Sequence, residues 1–304
     1  MTSRARFRPS AGFTLVEAIM VIVITGILAS IVAVFITRPV QGYVDSVRRA
    51  ELTDAADVAL RRITRDVRLA LPNSLRVTVS GGVNYIELIM TSAGGRYRDA
   101  TDGSTGGTLF NWADTTNCAT TPGNCKFDVL GSMPSNPAIG VNDYIVIYNL
   151  GAGYEPANAY LRDTAQCDAT PAGPGCNIAR VTGIAAPVVT LDANPFVNQT
   201  PPLPSSSFRF QVVPGGVRAV TYACPTTTPG NLMRYWNYGF SAVQPTTFSS
   251  GSSALLVANA TCTIDFTSAA TGRNGLLYIR LTLTDTPSNE SVTLFHQVHV
   301  DNTP

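Results

Sequence analysis

Residues 12–36 read GFTLVEAIMVIVITGILASIVAVFI, and the reading of this stretch decides the fold. From Ala18 to Ile36 no residue is charged. As a helix rising ~1.5 Å per residue, that run spans ~28 Å, close to the hydrocarbon thickness of a bilayer. A secretory signal removed by the ordinary peptidase would have an apolar core of roughly 7–15 residues and a small-x-small cleavage site. This run is longer and offers no A-x-A-like site, so it reads as a retained membrane-spanning helix.

Glu17 stands at the head of the run. A charge costs on the order of 2.5–3.5 kcal/mol at the bilayer centre and less near an end, while each Leu, Ile, Val or Phe returns about 0.3–0.6 kcal/mol. Twelve such residues lie between Ala18 and Ile36. Together they contribute roughly 4–7 kcal/mol, so insertion survives the acid. Its presence still needs a reason. An ionisable group in a membrane segment is by default a functional candidate whose partner must be named. The structural alternative is an anion placed at the positive end of the helix dipole.

Upstream, Arg4, Arg6 and Arg8 form a short basic leader ending at Gly12. Arg38, Arg48 and Arg49 follow the run, so the positive-inside bias is weak, and the leader is placed in the cytoplasm on its immediate flank. Without the first twelve residues the chain has 18 basic and 20 acidic residues, which leaves no general field to attract nucleic acid.

Between Tyr43 and Leu71 the pattern is that of an amphipathic helix. Leu52, Ala55, Ala56, Ala59, Leu60, Ile63, Val67 and Leu71 recur at spacings of mostly three and four, with arginines elsewhere on the helix. Asp45 with Arg49 and Asp57 with Arg61 supply i,i+4 pairs. Asp45, Glu51, Asp54, Asp57 and Asp66 interleave with the arginines, which favours a solvated or subunit-contacting face over an acid-binding one. Pro72-Asn73 ends the helix. Continuous from Phe13, such a helix would be ~90 Å long. Arg38-Pro39 and Gly42 predict a kink or local unwinding along it.

From Leu75 the period switches to two. Strands are predicted at 75–79, 85–90, 143–148, 179–182, 188–191, 208–213, 219–224, 232–236, 254–257, 262–266, 276–283 and 291–300. Ser80-Gly81-Gly82 and Asp285 to Asn289 read as turns joining hairpins. Residues 93–137 and 161–175 read as long loops. Six cysteines, Cys118, Cys125, Cys167, Cys176, Cys224 and Cys262, all lie downstream of the apolar run, and export favours disulfides. Six cysteines permit 15 connectivities. Proximity in sequence pairs Cys118 with Cys125 and Cys167 with Cys176, which leaves Cys224 for Cys262.

Behind its basic leader, Gly12 followed by Phe13-Thr14-Leu15-Val16-Glu17 resembles the cleavage and assembly motif of type IV prepilins. The resemblance implies that a prepilin peptidase cuts between Gly12 and Phe13 and methylates the new Phe13 amine. It also implies that Glu17 pairs with the Phe13 amine of a neighbouring subunit during assembly, alongside other minor and major pilins and an inner-membrane platform. The segment from Ala59 to Arg68 with Leu71-Pro72-Asn73-Ser74, the run Arg234-Tyr235-Trp236, and the ending His296 to Asn302 resemble the MshO minor pilins of the mannose-sensitive haemagglutinin pilus. The chain is also similar to the J-type minor pseudopilins of type II secretion, and a membrane-anchored adhesin is a further alternative. The fold expected is α+β and pilin-like: leader 1–12, membrane or filament-core helix 13–37, amphipathic helix 38–72, and a β-rich head 73–304 in the periplasm.

No nucleophile elbow, P-loop, dinucleotide fingerprint or H-E-x-x-H occurs, so no enzyme activity and no cofactor are expected. His296 and His299, three apart on a strand, face opposite sides and cannot share a metal. Asp99, Asp102 and Gly103 miss the twelve-residue calcium pattern, so no metal site is expected. Tyr235, Trp236 and Tyr238 form either a glycan-binding patch or, as favoured here, strand aromatics facing the core.

Overall fold

The computed structural model describes residues 12–112, 125–167, 175–267 and 274–304. The chain divides into two compact units, one ending at Glu51 and the other running from Leu52 to Pro304. Helix α1 is assigned over Leu15–Arg68. Helical hydrogen bonding continues through Pro39 and Gly42, so the unwinding predicted there does not occur. A proline removes one backbone donor, and the turns on either side keep theirs.

In the second unit the predicted stripe of α1 is the buried one. Ala56, Ala59, Leu60, Ile63 and Val67 belong to the main core, and Leu52 and Ala55 pack at its margin. The helix ends at Arg68, before Pro72. Ala70 already bridges Met90, and the Leu71 amide donates to the Ile89 carbonyl at 2.8 Å.

The helix lies on an antiparallel sheet. Among the described residues its seven strands are β1 (Arg76–Ser80), β2 (Val83–Ile89), β9 (Ala219–Pro225), β10 (Gly230–Trp236), β11 (Ser252–Thr267), β12 (Asn274–Asp285) and β13 (Glu290–Asp301), in that spatial order. Gly81 and Gly82, at φ of 57° and 75°, close the β1–β2 hairpin as a two-residue turn that suits positive φ at both positions. The predicted strands 254–257 and 262–266 are one strand, β11. Leu232 pairs with Val257 and Gly230 with Ala260, so β11 has the extra residue of a bulge, beside Asn259 at φ 55°.

Residues between β2 and β9 fold into a small closed barrel. Its strands are β3 (Ala93–Tyr97), β4 (Lys126–Leu130), β5 (Tyr144–Val146), β6 (Ile178–Ala185), β7 (Val188–Leu191) and β8 (Arg209–Val213), in the order β3-β4-β7-β6-β5-β8. The reading of 93–137 as loop is therefore corrected, since it contains β3 and β4. Side chains including Tyr97, Phe110, Phe127, Phe196 and Phe210 fill the interior, with ring centroids 5.1 to 5.5 Å apart for Tyr97–Phe110, Phe110–Phe127 and Phe127–Phe210. β2 and β9 still pair directly, with Ile89 opposite Ala219. A third buried cluster, including Leu71, Ile89, Tyr144, Tyr160, Ile178 and Phe240, joins barrel to sheet. The whole is the expected α+β, pilin-like arrangement: an apolar N-terminal helix followed by an antiparallel, β-rich head.

Two of the predicted disulfides are present. Cys167–Cys176 has a Cα separation of 5.0 Å, and Cys224–Cys262, at 5.8 Å, ties β9 to β11, the strands on either side of β10. The pairing of Cys125 with Cys118 lies outside the described residues, as Cys118 does.

Candidate functional site

The first unit presents the candidate segment. Gly12 and Phe13 are exposed and precede the helix, which starts at Leu15. Thr14 caps it: the Glu17 amide donates to Thr14 Oγ1 at 3.3 Å, the geometry of a T-x-x-E start. Glu17 therefore occupies the first turn, at the positive end of the helix dipole. Its carboxylate has no hydrogen bond or ion pair among the described residues.

Beyond Glu17 the helix is bare. Leu15, Ile19, Ile22, Ile27, Ile31 and Phe35 are among its large exposed apolar side chains, and its most apolar window has a mean hydropathy of 3.0 with no part buried. Two hydroxyls of the run bond within the helix. Thr25 donates to the Val21 carbonyl at 2.6 Å and Ser30 to that of Ile27 at 2.7 Å, as an apolar environment requires. This helix is long and apolar enough to cross a membrane.

Residues 7–33 match the family model described as the prokaryotic N-terminal methylation motif. The matched span takes in Arg8, Gly12, Phe13, Glu17 and most of the apolar run. The chain thus begins with a type IV pilin-like prepilin signal, which points to membrane anchoring, processing by a prepilin peptidase and a structural subunit that assembles with other pilins. No curated protein and no solved structure matches the chain.

In the second unit the segments chosen for their resemblance to minor pilins meet one another. Asp66, near the end of α1, is buried and accepts from Arg234 Nε at 2.9 Å and from the Tyr222 hydroxyl at 2.7 Å. Thr64 approaches His296 Nδ1 at 3.4 Å. The placement of Asp66 on a solvated face is corrected: its counter-charge comes from β10. Burial and the Asp66 carboxylate both push the Tyr222 phenol up, so it stays a donor.

A second buried acid was not singled out from sequence. Glu87 on β2 accepts from Arg76 Nε at 2.7 Å and from the Tyr238 hydroxyl at 2.9 Å. Arg76 also donates to the carbonyls of Ser241 and Ala242 and lies 3.7 Å from the Tyr160 ring centre. Burial raises the Glu87 carboxyl above its ordinary 4.5, against the opposing pull of Arg76 and Tyr238. The run Ile86-Glu87-Leu88-Ile89 could have flagged Glu87, because an acid inside a continuous apolar run belongs to a strand buried on both faces.

The aromatic segment divides. Trp236 packs against the main core under the Arg234 guanidinium at 4.9 Å, whereas Tyr235 stacks on Phe248 at 4.2 Å. Tyr238 meets Phe248 edge-on. Asp102 accepts from the Asp99 amide at 2.8 Å and from the Ser104 amide at 2.7 Å, so this carboxylate builds its own turn. Among the described residues no cluster of three His, Cys, Asp or Glu could hold a metal.

Proposed function

We propose that this chain is a minor pilin of the MshO kind, working at the start or the tip of a type IV pilus on a bacterial surface and contributing to adhesion. Residues 1–12 are its leader, removed by cleavage between Gly12 and Phe13, with methylation of the Phe13 amine. The observation that carries this reading is Glu17: a charge at the head of an exposed apolar helix, with no partner for its carboxylate among the described residues. In low dielectric a carboxylate needs a cation, and cleavage creates one on an adjacent copy of the same kind of helix. Residues 13–37 then leave lipid for the filament core, while the head stays on the periplasmic side until assembly. The inserted barrel supports a terminal place, because every subunit of a repeating shaft would otherwise have to accommodate it.

Mass spectrometry of the mature protein is expected to find methyl-Phe13 as the first residue. An intact Met1 in assembled fibres overturns the reading. Glu17→Ala is expected to be processed normally yet left out of fibres, and normal incorporation would remove the proposed role of the acid. Labelled antibody against the barrel should decorate fibre ends. Decoration along the shaft contradicts the terminal position, and recovery in a secretion machine without pili favours the minor pseudopilin alternative.

A further inference from the structure

Strand β13 is the last in its sheet. All twelve of its residues pair with β12, and among the described residues no strand pairs its other side. An unpaired edge is a template for another chain, and folded proteins ordinarily blunt it with Pro, Lys, a bulge or a short length. β13 has none of these: it contains no Pro, Lys or Arg, its two acids stand at its ends, and its register with β12 has no shift. A groove of ≈ 780 Å³ runs beside it, between one face of α1 and the segment around His296. Arg61, Arg65 and Arg68 line the helix side at spacings of four and three. Asp57 engages Arg61 at 2.6 Å, whereas the exposed guanidinium groups of Arg65 and Arg68 have no partner among the described residues. Phe295, 67% exposed, lies on the opposite face of β13 from His296.

The geometry points to this groove as the docking site for an extended, acid-bearing segment of a partner protein, added to the sheet as a strand beside β13. Side chains alternate across a strand, so carboxylates at every second position reach Arg65 and Arg68 while the intervening apolar residues cover the Phe295 side. Main-chain hydrogen bonds supply the attraction, and the two cations select the partner. This goes beyond assembly through the N-terminal helix and does not depend on processing at Gly12.

The test uses the full chain in detergent and a fluorescent peptide of about ten residues alternating Glu with Val, followed by anisotropy. Saturable binding is expected, weakened about tenfold or more by Arg65→Glu with Arg68→Glu. A Lys–Val peptide should not bind, and methylating alternate amides of the Glu–Val peptide, tried in both registers, should abolish binding in one of them. That last arm uses unaltered protein, so the outcome does not hang on the folding of a variant. Absence of saturable binding up to about 1 mM overturns the proposal. So does binding that survives the charge reversal, that survives amide methylation in both registers, or that the Lys–Val peptide matches.

Discussion

Without the Asp66 carboxylate, Arg234 would be a buried cation with no counter-charge, left with the Tyr222 hydroxyl and the Trp236 ring. Asp66→Ala is expected to cost about 3–5 kcal/mol in urea unfolding, and pairing Asp66→Leu with Arg234→Met should recover most of the loss. A single substitution as mild as a surface change would show that the pair does not hold the helix. Glu87 gives a pH signature. Its folded pKa is raised, so the native chain binds the proton more readily than the unfolded one. Its contribution to stability is full below 4.5 and declines as pH rises through the higher folded value. Glu87→Gln should flatten that part of the melting-temperature profile, and an unchanged slope would assign it elsewhere. Glu17 stands out in the sequence as a candidate because its peculiarity is local, an acid against an apolar run. Asp66 does not, since its partner lies 168 residues away and a helix acid among arginines reads as solvated.

At the scale of elements, period made α1 and most strands legible. The apolar stripe from Leu52 to Val67 needed only helical spacing, and the β1–β2 turn only its two glycines. β3 was lost because its sequence, AGGRY, is poor in strand formers. The structure supplies the reason for those glycines: a Cβ at Gly95 would fall 2.6 Å from the Phe210 ring, which uses that space to fill the barrel. Gly95→Val is expected to destabilise the barrel by about 1–3 kcal/mol, seen as faster amide exchange in β3 and β8 than in β12. Uniform exchange through both regions would deny the barrel its own packing. Removing the bridge by Cys224→Ala with Cys262→Ala should cost roughly 2–5 kcal/mol in the same unfolding assay, and no loss would mean the core alone fixes β9 against β11.

Over the whole chain, sequence reading recovered the order of helix, then strands, and missed that the strands form two systems, an open sheet and a closed barrel. Closure is a long-range property: β8 joins β3 across more than a hundred residues, and nothing local announces it. Replacing residues 92–213 by a short Gly-Ser turn tests how far the sheet stands alone. Trp236 then remains as the sole tryptophan, and its fluorescence is expected to stay that of a packed side chain, at lower overall stability because Leu71, Ile89 and Phe240 lose their cover. A fully solvated spectrum would show that the sheet cannot form without the insertion. Because Ile89 and Ala219 sit across from each other on neighbouring strands, the inserted segment leaves and returns through one doorway. Whatever is fitted there adds no net displacement to the strands that carry it. The second unit is therefore built as a socket, in which one plug can be traded for another while the sheet and the helix packed on it stay as they are.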